Sequence, residues 1–175
     1  DGTDTEPSMY VGIIINRSLA DTTDSVTGLG DVHALVNAIG EMRRVPREAG
    51  FIAIKVDDIA EVNARFGFDA GDRVLAESAA CLMDCSRGKG RLFRSTGPMF
   101  VALFDDFDPE ETDAIADEIE RFLGSPVLIG SLEYQPPIRV ATLHLDAVDR
   151  QPVSILNELK ALLEEAPQVP GTKLD

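Results

Sequence analysis

Two pairs of adjacent aspartates are the residues in this sequence best suited to chemistry. Asp57 and Asp58 follow the apolar run 51–56, and Asp105 and Asp106 follow another apolar run. Carboxylates bind hard divalent cations and act as general acids or bases. The spacing of these pairs selects no particular reaction. Asp58 is also placed to cap a helix, Asp57 to be a solvated acid, and the other pair to lie in a solvated loop.

The cysteines and histidines form no recognisable nucleophilic or zinc-binding pattern. Cys81 and Cys85 are four residues apart in an apparent helix, so they share one face. Their spacing matches no zinc motif, and one such pair is no disulfide framework. We interpret them as reduced core residues of a cytoplasmic chain. His33 and His144 are far apart, with no matching Ser or Cys arrangement, so we interpret both as structural.

The composition indicates one globular domain with a strong negative charge. The chain has 175 residues, 44% of them hydrophobic, and a formal net charge of -15. Phosphate backbones and anionic lipids repel such a polyanion, which argues against nucleic acid and membrane surfaces as partners. A small nucleotide remains compatible, because helix N-termini or a metal can offset local repulsion. No apolar run approaches the roughly 20 residues of a membrane span; an anchor outside this segment remains open.

The apolar pattern predicts strands and helices in a mixed order. Cap residues such as Asp31 and Asp108 precede apolar residues at helical spacing, and short β-branched runs indicate strands. The Thr96-Gly97-Pro98 sequence between two such runs predicts a hairpin. The predicted strands are 9–15, 51–56, 92–95, 99–104, 126–129 and 138–145. The predicted helices begin near residues 32, 59, 69, 109 and 152, and the first four end near 45, 66, 86 and 123, before Gly124.

This order favours an α+β fold. The central hairpin forces an antiparallel pair, so a compact sheet layered with helices fits better than an all-parallel sheet. Residues 1–8 are polar and predicted to fray. Residues 167–175 are predicted to be a C-terminal loop.

Several short patterns in a fixed order resemble the GGDEF (diguanylate cyclase-type) domain family. Asp24–Leu29 resembles the entry motif D-x-L-T-G-L. Residues 51–75, with Asn63 and Asp72 in matching places, are similar to the family's strand–helix segment. Arg94–Phe100 (RSTGPMF) falls where the family has R-x-G-G-D-E-F. The resemblance implies a ferredoxin-like, nucleotide cyclase palm core, with a central, mostly antiparallel sheet flanked by helices.

The resemblance also implies a domain division. Residues 24–166 would form a degenerate GGDEF domain, followed by a C-terminal tail at 167–175. Residues 1–23 would be an N-terminal extension with a polar tail, a short strand and a linker. Its Tyr10–Ser18 segment is similar to the closing strand of PAS domains that precede GGDEF domains. A plain extra strand fits that segment equally well.

The resemblance implies that a catalytic site has been lost. The family joins two GTP molecules, each held by one subunit of a dimer, into cyclic di-GMP, and it needs divalent cations held by carboxylates. At the matching positions this chain has Lys55, Pro98 and Met99, which we expect to face one cleft. An ammonium, a proline ring and a thioether cannot ligate a hard cation. We therefore expect no bound Mg²⁺ and no cyclase activity, although Asp57 and Asp58 could in principle recruit an ion.

Other family positions survive and leave nucleotide binding open. Asn63 and Asp72 match the residues that read the guanine edge, and Gly97 is the retained glycine of the motif. Lys55 could meet phosphate charge in place of a metal. GTP is therefore a candidate ligand. The alternative is that Asn63 and Asp72 are structural remnants at helix ends.

The family's inhibitory product site, R-x-x-D, is only partly present. Arg87 matches its arginine, and Gly90 replaces its aspartate. Arg can hold a phosphate or guanine bidentately. A basic turn without a ligand is the alternative interpretation of Arg87.

Three functions follow from this reading. The first is a catalytically inactive GGDEF-like domain that regulates, dimerises or relays a signal to other domains of a bacterial cyclic di-GMP signalling protein. The second is a GTP-binding sensor that controls an attached output domain such as a phosphodiesterase. The third, which the spacing favours least, is a residual enzyme that uses the paired aspartates.

Overall fold

The computed structural model describes residues 22–106, 108–123 and 125–174, which form helices and strands in a mixed order. The strands are β1 (Ala49–Val56), β2 (Arg91–Arg94), β3 (Met99–Asp105), β4 (Val127–Ile129), β5 (Leu132–Tyr134) and β6 (Ile138–Leu145). The helices are α1 (Val32–Arg44), α2 (Ile59–Phe66), α3 (Phe68–Ser86), α4 (Pro109–Phe122) and α5 (Pro152–Glu165). The predicted strand 9–15 and the predicted helix stop at Gly124 lie outside the described residues.

The main sheet has four strands in the order β2-β3-β1-β6, and every neighbouring pair is antiparallel. The β2–β3 hairpin turns at Thr96-Gly97-Pro98, as its sequence predicts. A second, two-stranded sheet pairs β4 with β5. The sequence did not predict β5, because a run of three residues with a central glutamate carries too little periodicity. The α+β prediction, with a central antiparallel sheet flanked by helices, is confirmed.

The sheet separates two hydrophobic cores. Side chains alternate along β1, so Ile52 and Ile54 pack on the α3 and α4 side, while Phe51 and Ala53 pack on the α1 and α5 side. Because both faces of the central strand are covered, β1 is apolar almost throughout, as the run 51–56 indicates. Both cysteines are free on α3: Cys85 is buried and Cys81 is half-buried.

Helix starts follow the predicted capping chemistry in two cases and depart from it in a third. Asp31 accepts a hydrogen bond from the Ala34 N–H at 3.0 Å, and Asp108 accepts one from the Glu111 N–H at 2.8 Å. Asp58 occupies the N-cap position of α2, but its side chain makes no cap hydrogen bond. The predicted capping role is wrong because Asp58 has a left-handed backbone, with φ of 65°, instead of the extended one that capping requires.

The segment after α5 is irregular but fastened to the body of the domain. Val169 and Ile138 exchange two backbone hydrogen bonds, and the Thr172 N–H donates to the Gln135 carbonyl at 2.7 Å. These bonds hold the segment beside the start of β6. Within the described ranges, none of the helices is both long and apolar enough to cross a bilayer.

Candidate functional site

A cleft of about 610 Å³ opens where β1 ends and α2 begins. Its walls come from the end of β1, the first turns of α2 and the β2–β3 turn. The lining residues are Lys55, Val56, Asp57, Asp58, Ile59, Ala60, Glu61, Asn63 and Pro98. A second cavity of about 240 Å³ between α3 and the end of α4 is smaller and holds none of the predicted site residues.

Strand register brings Lys55, Pro98 and Met99 together, as expected, but only two of them line the cleft. Lys55 pairs with Met99 across β1 and β3, and the Val56 N–H donates to the Pro98 carbonyl at 3.0 Å. Met99 is only 5% exposed and belongs to the core on the α1 and α5 side. The expectation that Met99 faces the cleft is wrong, because α1 and α5 cover this part of the sheet.

Asp57 is the centre of a charged network at the floor of the cleft. Its Oδ2 accepts hydrogen bonds from Arg139 Nε at 3.0 Å and from Gln168 Nε2 at 2.7 Å. Its Oδ1 lies 3.7 Å from Lys55 Nζ. Arg139 also donates to the Ala166 carbonyl at 2.9 Å, which ties the network to the end of α5. Asp57 is 9% exposed and is no solvated acid.

These contacts do not fit a hard divalent cation. Mg²⁺ requires several oxygen ligands in a near-octahedral arrangement. Both Asp57 oxygens already face positive charge or an amide donor, and no carboxylate stands at residues 98 and 99. Among the described residues, no three His, Cys, Asp or Glu side chains converge at this cleft with ligand atoms in reach of one ion.

The three residues predicted to touch a nucleotide occupy different surroundings. Asn63 lines the cleft, and its buried Oδ1 faces the backbone of Gly71 without a hydrogen-bond partner. Asp72 follows Gly71 on α3 but is exposed and does not line the cleft. Gly97 lies at the exposed tip of the hairpin with φ of 58°. The structure thus brings Asn63, but not the other two, into the cleft wall.

A buried tyrosine beneath the cleft escaped the sequence analysis. Tyr134 is fully buried, and its hydroxyl has no hydrogen-bond partner. Burial, and after it the nearby carboxylates of Asp58, Glu61 and Asp57, raise the pKa of the Tyr134 phenol to about 12. The neutral hydroxyl therefore lies close to three acids of the cleft wall.

The remnant of the inhibitory site has an ion-paired arginine and no room for the family's aspartate. Arg87 is paired with Glu118 of α4 at 3.0 Å. Gly90 has φ of 72°, and a Cβ placed there would lie 2.5 Å from the Phe104 ring. An aspartate at residue 90 therefore does not fit this backbone.

The entry motif, Asp24–Leu29, has a structural role in this protein. Asp24 accepts hydrogen bonds from the Thr27 N–H and hydroxyl, at 2.8 and 2.7 Å, and from Arg94 Nη1 at 3.2 Å. Arg94 Nε also donates to the Gly97 carbonyl at 2.9 Å. Burial alone would raise the pKa of Asp24, but the bonds from Thr27 and Arg94 outweigh it and lower the pKa. The loop before α1 is thereby locked to the β2–β3 hairpin.

Sequence reasoning missed Arg139, Gln168 and Tyr134. Arg139 offered one signal, since it is the sole charged residue in the alternating run 138–143. Its contact with Asp57 depends on the register of β6 against β1, which pairs Arg139 with Lys55. Gln168 lies in a segment that the sequence predicts to be a loop, so no local pattern indicated its contact with Asp57.

Comparison with known proteins points to one domain family. The family model described as "Diguanylate cyclase, GGDEF domain" matches residues 21–163. The chain is 29% identical over 84 residues to the diguanylate cyclase DgcS of Shewanella oneidensis, covering 46% of this chain and 28% of DgcS. It is 28% identical over 119 residues to the cyclic di-GMP phosphodiesterase PdeR of Escherichia coli K12, covering 67% of this chain and 18% of PdeR. The chain thus spans less than a third of either curated relative.

Solved structures share the fold. The diguanylate cyclase SiaD of Pseudomonas aeruginosa, solved with its activator SiaC, gives a TM-score of 0.76 at 21% identity, over 93% of this chain and 64% of SiaD. The FimX GGDEF domain of the same species gives 0.76 at 16% identity, over 83% of this chain and 93% of that domain. At these identities the likeness concerns the fold alone.

Proposed function

Because the chain belongs to the diguanylate cyclase GGDEF domain family, we propose that it is a non-catalytic member with a regulatory role in a cyclic di-GMP signalling protein. It would act by contacting neighbouring domains or a second copy of itself. The observation that carries the proposal is the engagement of Asp57 by Lys55, Arg139 and Gln168.

The charge balance of the cleft opposes metal-dependent phosphoryl transfer. Joining a hydroxyl to an α-phosphate requires cations that neutralise the triphosphate and align it. Lys55 and Arg139 place two positive groups within 4 Å of the buried Asp57 carboxylate. A divalent cation that approached Asp57 would have to displace both and would meet their repulsion.

A regulatory role is consistent with an intact scaffold around this cleft. The sheet, both cores and the Asp24–Arg94 lock are all formed. The chain covers only part of relatives that are named as a cyclase and a phosphodiesterase. A domain of this kind would transmit its state to an attached domain through its surface.

A cyclase assay tests the absence of turnover. Purified protein is incubated with GTP and Mg²⁺ or Mn²⁺, with an active diguanylate cyclase in parallel, and the products are separated by liquid chromatography with mass detection. We expect no cyclic di-GMP above the no-protein blank. Metal-dependent product that scales with protein concentration would refute the proposal.

The regulatory part is tested in the full-length protein. We expect Asp57→Asn, which loosens the cleft network, to change the activity of an attached domain at least twofold. Asp117→Asn makes the same charge change at an exposed residue of α4 that does not line the cleft, and it should leave that activity unchanged. Equal activity of wild type and both variants would argue against regulation through this cleft.

GTP binding without turnover is a second candidate, favoured by the room in the cleft and by Asn63. The volume of about 610 Å³ lies within the usual range of small-molecule pockets, about 300–1,000 Å³. Asn63 presents an amide in the wall, and Lys55, whose side chain is 45% exposed, can reach a phosphate. Such binding would use protein cations in place of a metal.

Calorimetry in EDTA separates this candidate from the first. We expect GTP to bind in the absence of metal, and Asn63→Ala to weaken binding at least fivefold. Asn157→Ala, on the exposed face of α5, is the matched control. No heat with millimolar GTP would leave only the regulatory role, and equal binding by both variants would show that GTP does not bind through Asn63.

A further inference from the structure

Three polar side chains meet near the start of β1, at the opposite end of this strand from the cleft. Glu48 precedes β1, while His144 and Asp146 lie at the end of β6. One ligand atom from each residue lies within 4.8 Å of the other two. Six residues of extended strand, about 20 Å, separate this cluster from Lys55. The cluster is therefore independent of the nucleotide cleft and of the function proposed for it.

Antiparallel register explains why these residues meet. Ala49 pairs with Leu145, so Glu48 and Asp146 stand opposite each other just beyond the pair. His144 is two residues before Asp146, and side chains two apart on a strand share a face. The residue opposite His144 on β1 is Gly50, which has no side chain that could separate His144 from Glu48. The Asp106 N–H donates to the Glu48 carbonyl at 3.1 Å and fixes the backbone there.

We propose that Glu48, His144 and Asp146 form a site for a divalent transition-metal ion of the Zn²⁺ class. One imidazole and two carboxylates are a donor set that such ions accept, with further positions left for water. His144 Nε2 lies 3.7 Å from Asp146 Oδ1. Ligand atoms around one zinc at bond lengths of about 2.0–2.2 Å lie roughly 3–3.5 Å apart. Small side-chain rotations therefore suffice to close the site.

The charges around the cluster favour a cation. In the part of the chain that the structure describes, neither Glu48 nor Asp146 has a Lys or Arg ion pair, and Asp146 is paired only with His144. The nearby Asp105, by contrast, is engaged by Arg47 and Arg91. The net charge of -15 adds a general attraction for cations.

The imidazole presents Nε2 to the carboxylates. His144 is only 21% exposed, and its Nδ1 is buried without a hydrogen-bond partner. Nε2 is thus the nitrogen that faces the carboxylates. An ion on Nε2 would leave the ring proton on Nδ1 and would join the edge strand β6 to the residue before β1.

The test uses tag-free protein and three metals. Thermal unfolding is followed with Zn²⁺, Co²⁺ and Mg²⁺, and Co²⁺ absorption reports the ligand set. We expect Zn²⁺ at about ten times its Kd to raise the midpoint by roughly 3 °C, and Mg²⁺ at the same concentration to leave it unchanged. An equal shift with Mg²⁺ would reduce the effect to general attraction by negative charge and would overturn the proposal.

Matched variants assign the ligands. His144→Ala should abolish the Zn²⁺ shift, and His33→Ala, at the other histidine of the chain, should retain it. Asp146→Asn should weaken Zn²⁺ binding at least tenfold, while Asp149→Asn, also at an exposed residue, should not. Because the Asp146 side chain is 98% exposed, that variant should fold even if His144→Ala does not.

A thiol site is the competing explanation. Cys81 and Cys85 have sulfur atoms 4.0 Å apart and could bind Zn²⁺ themselves. Replacing both with serine should leave the Zn²⁺ shift intact and the Co²⁺ spectrum free of thiolate bands. Loss of binding in the serine variant, unchanged binding in Asp146→Asn, or no binding at 1 mM Zn²⁺ would each overturn the proposal.

Discussion

Replacing Asp57 with asparagine tests the network at the floor of the cleft. The carboxylate accepts from Arg139 and Gln168 and faces Lys55. The substitution keeps size and shape but removes the negative charge between two cations. It also leaves an amide that can accept only part of these bonds.

The expected loss of stability depends on how deeply Asp57 and its cationic partners are buried. Removing one partner of a fully buried ion pair destabilises a protein by about 3–5 kcal/mol. Here Asp57 is 9% exposed, but the side chains of Arg139 and Lys55 are 30% and 45% exposed, so water recovers part of the loss. The retained amide oxygen recovers a further part. We expect a loss of about 1.5–3 kcal/mol in the free energy of unfolding.

Urea denaturation measures this loss. With an m-value of about 2 kcal/mol/M, the midpoint should fall by roughly 1 M. Asp58→Asn is the control, because that exposed carboxylate has no hydrogen bond in the described structure and Asn tolerates a left-handed backbone. Its midpoint should stay within about 0.3 M of wild type.

The reasoning fails if the two variants have equal midpoints. In that case the contacts of Asp57 would contribute no net stability, and the carboxylate would be available to other ligands. High salt offers a second check, since part of the difference is Coulombic and should shrink in 1 M NaCl.

Three further predictions concern single residues. Gly90→Ala should lower the free energy of unfolding by at least about 1 kcal/mol more than Gly88→Ala, which is the cost of a mild clash in a core. Both glycines have positive φ, but only a Cβ at residue 90 would meet the Phe104 ring. Equal urea midpoints would contradict this. Asp24→Asn should destabilise the protein most at neutral pH. In the folded protein the pKa of Asp24 is lowered below its ordinary value. The stability that the carboxylate contributes is therefore complete above the ordinary pKa and is lost as pH falls through the pKa of the folded state. Stability curves of the two proteins that stay parallel in acid would refute that role. Tyr134→Phe should change stability by less than about 0.5 kcal/mol, because the deleted hydroxyl has no partner; a larger loss in urea would reveal a bond to that hydroxyl.

Local sequence determined much of the fold. Caps at Asp31 and Asp108 and the Thr96-Gly97-Pro98 turn act over three or four residues, so their effects can be predicted without the rest of the chain. Amphipathic spacing placed the helices, although the apolar Phe122, at the end of α4, is 47% exposed. An apolar residue at the end of a helix can point to either side.

Sequence also determined which side chains stand at the positions of the family's carboxylates. The side chains of Lys55, Pro98 and Met99 supply no oxygen ligand in any conformation, because side-chain chemistry does not depend on folding. The family resemblance is also a property of the sequence alone, because it rests on the order of short motifs.

Only the tertiary structure decided what those residues do instead. Met99 enters a core because helices cover that face. Asp57 meets Arg139, 82 residues further along the chain, because β1 and β6 pair in a fixed register. The Glu48–His144–Asp146 cluster arises in the same way from the register of β6 against β1. Contacts between distant segments depend on the packing of the whole domain, and no local pattern encodes them.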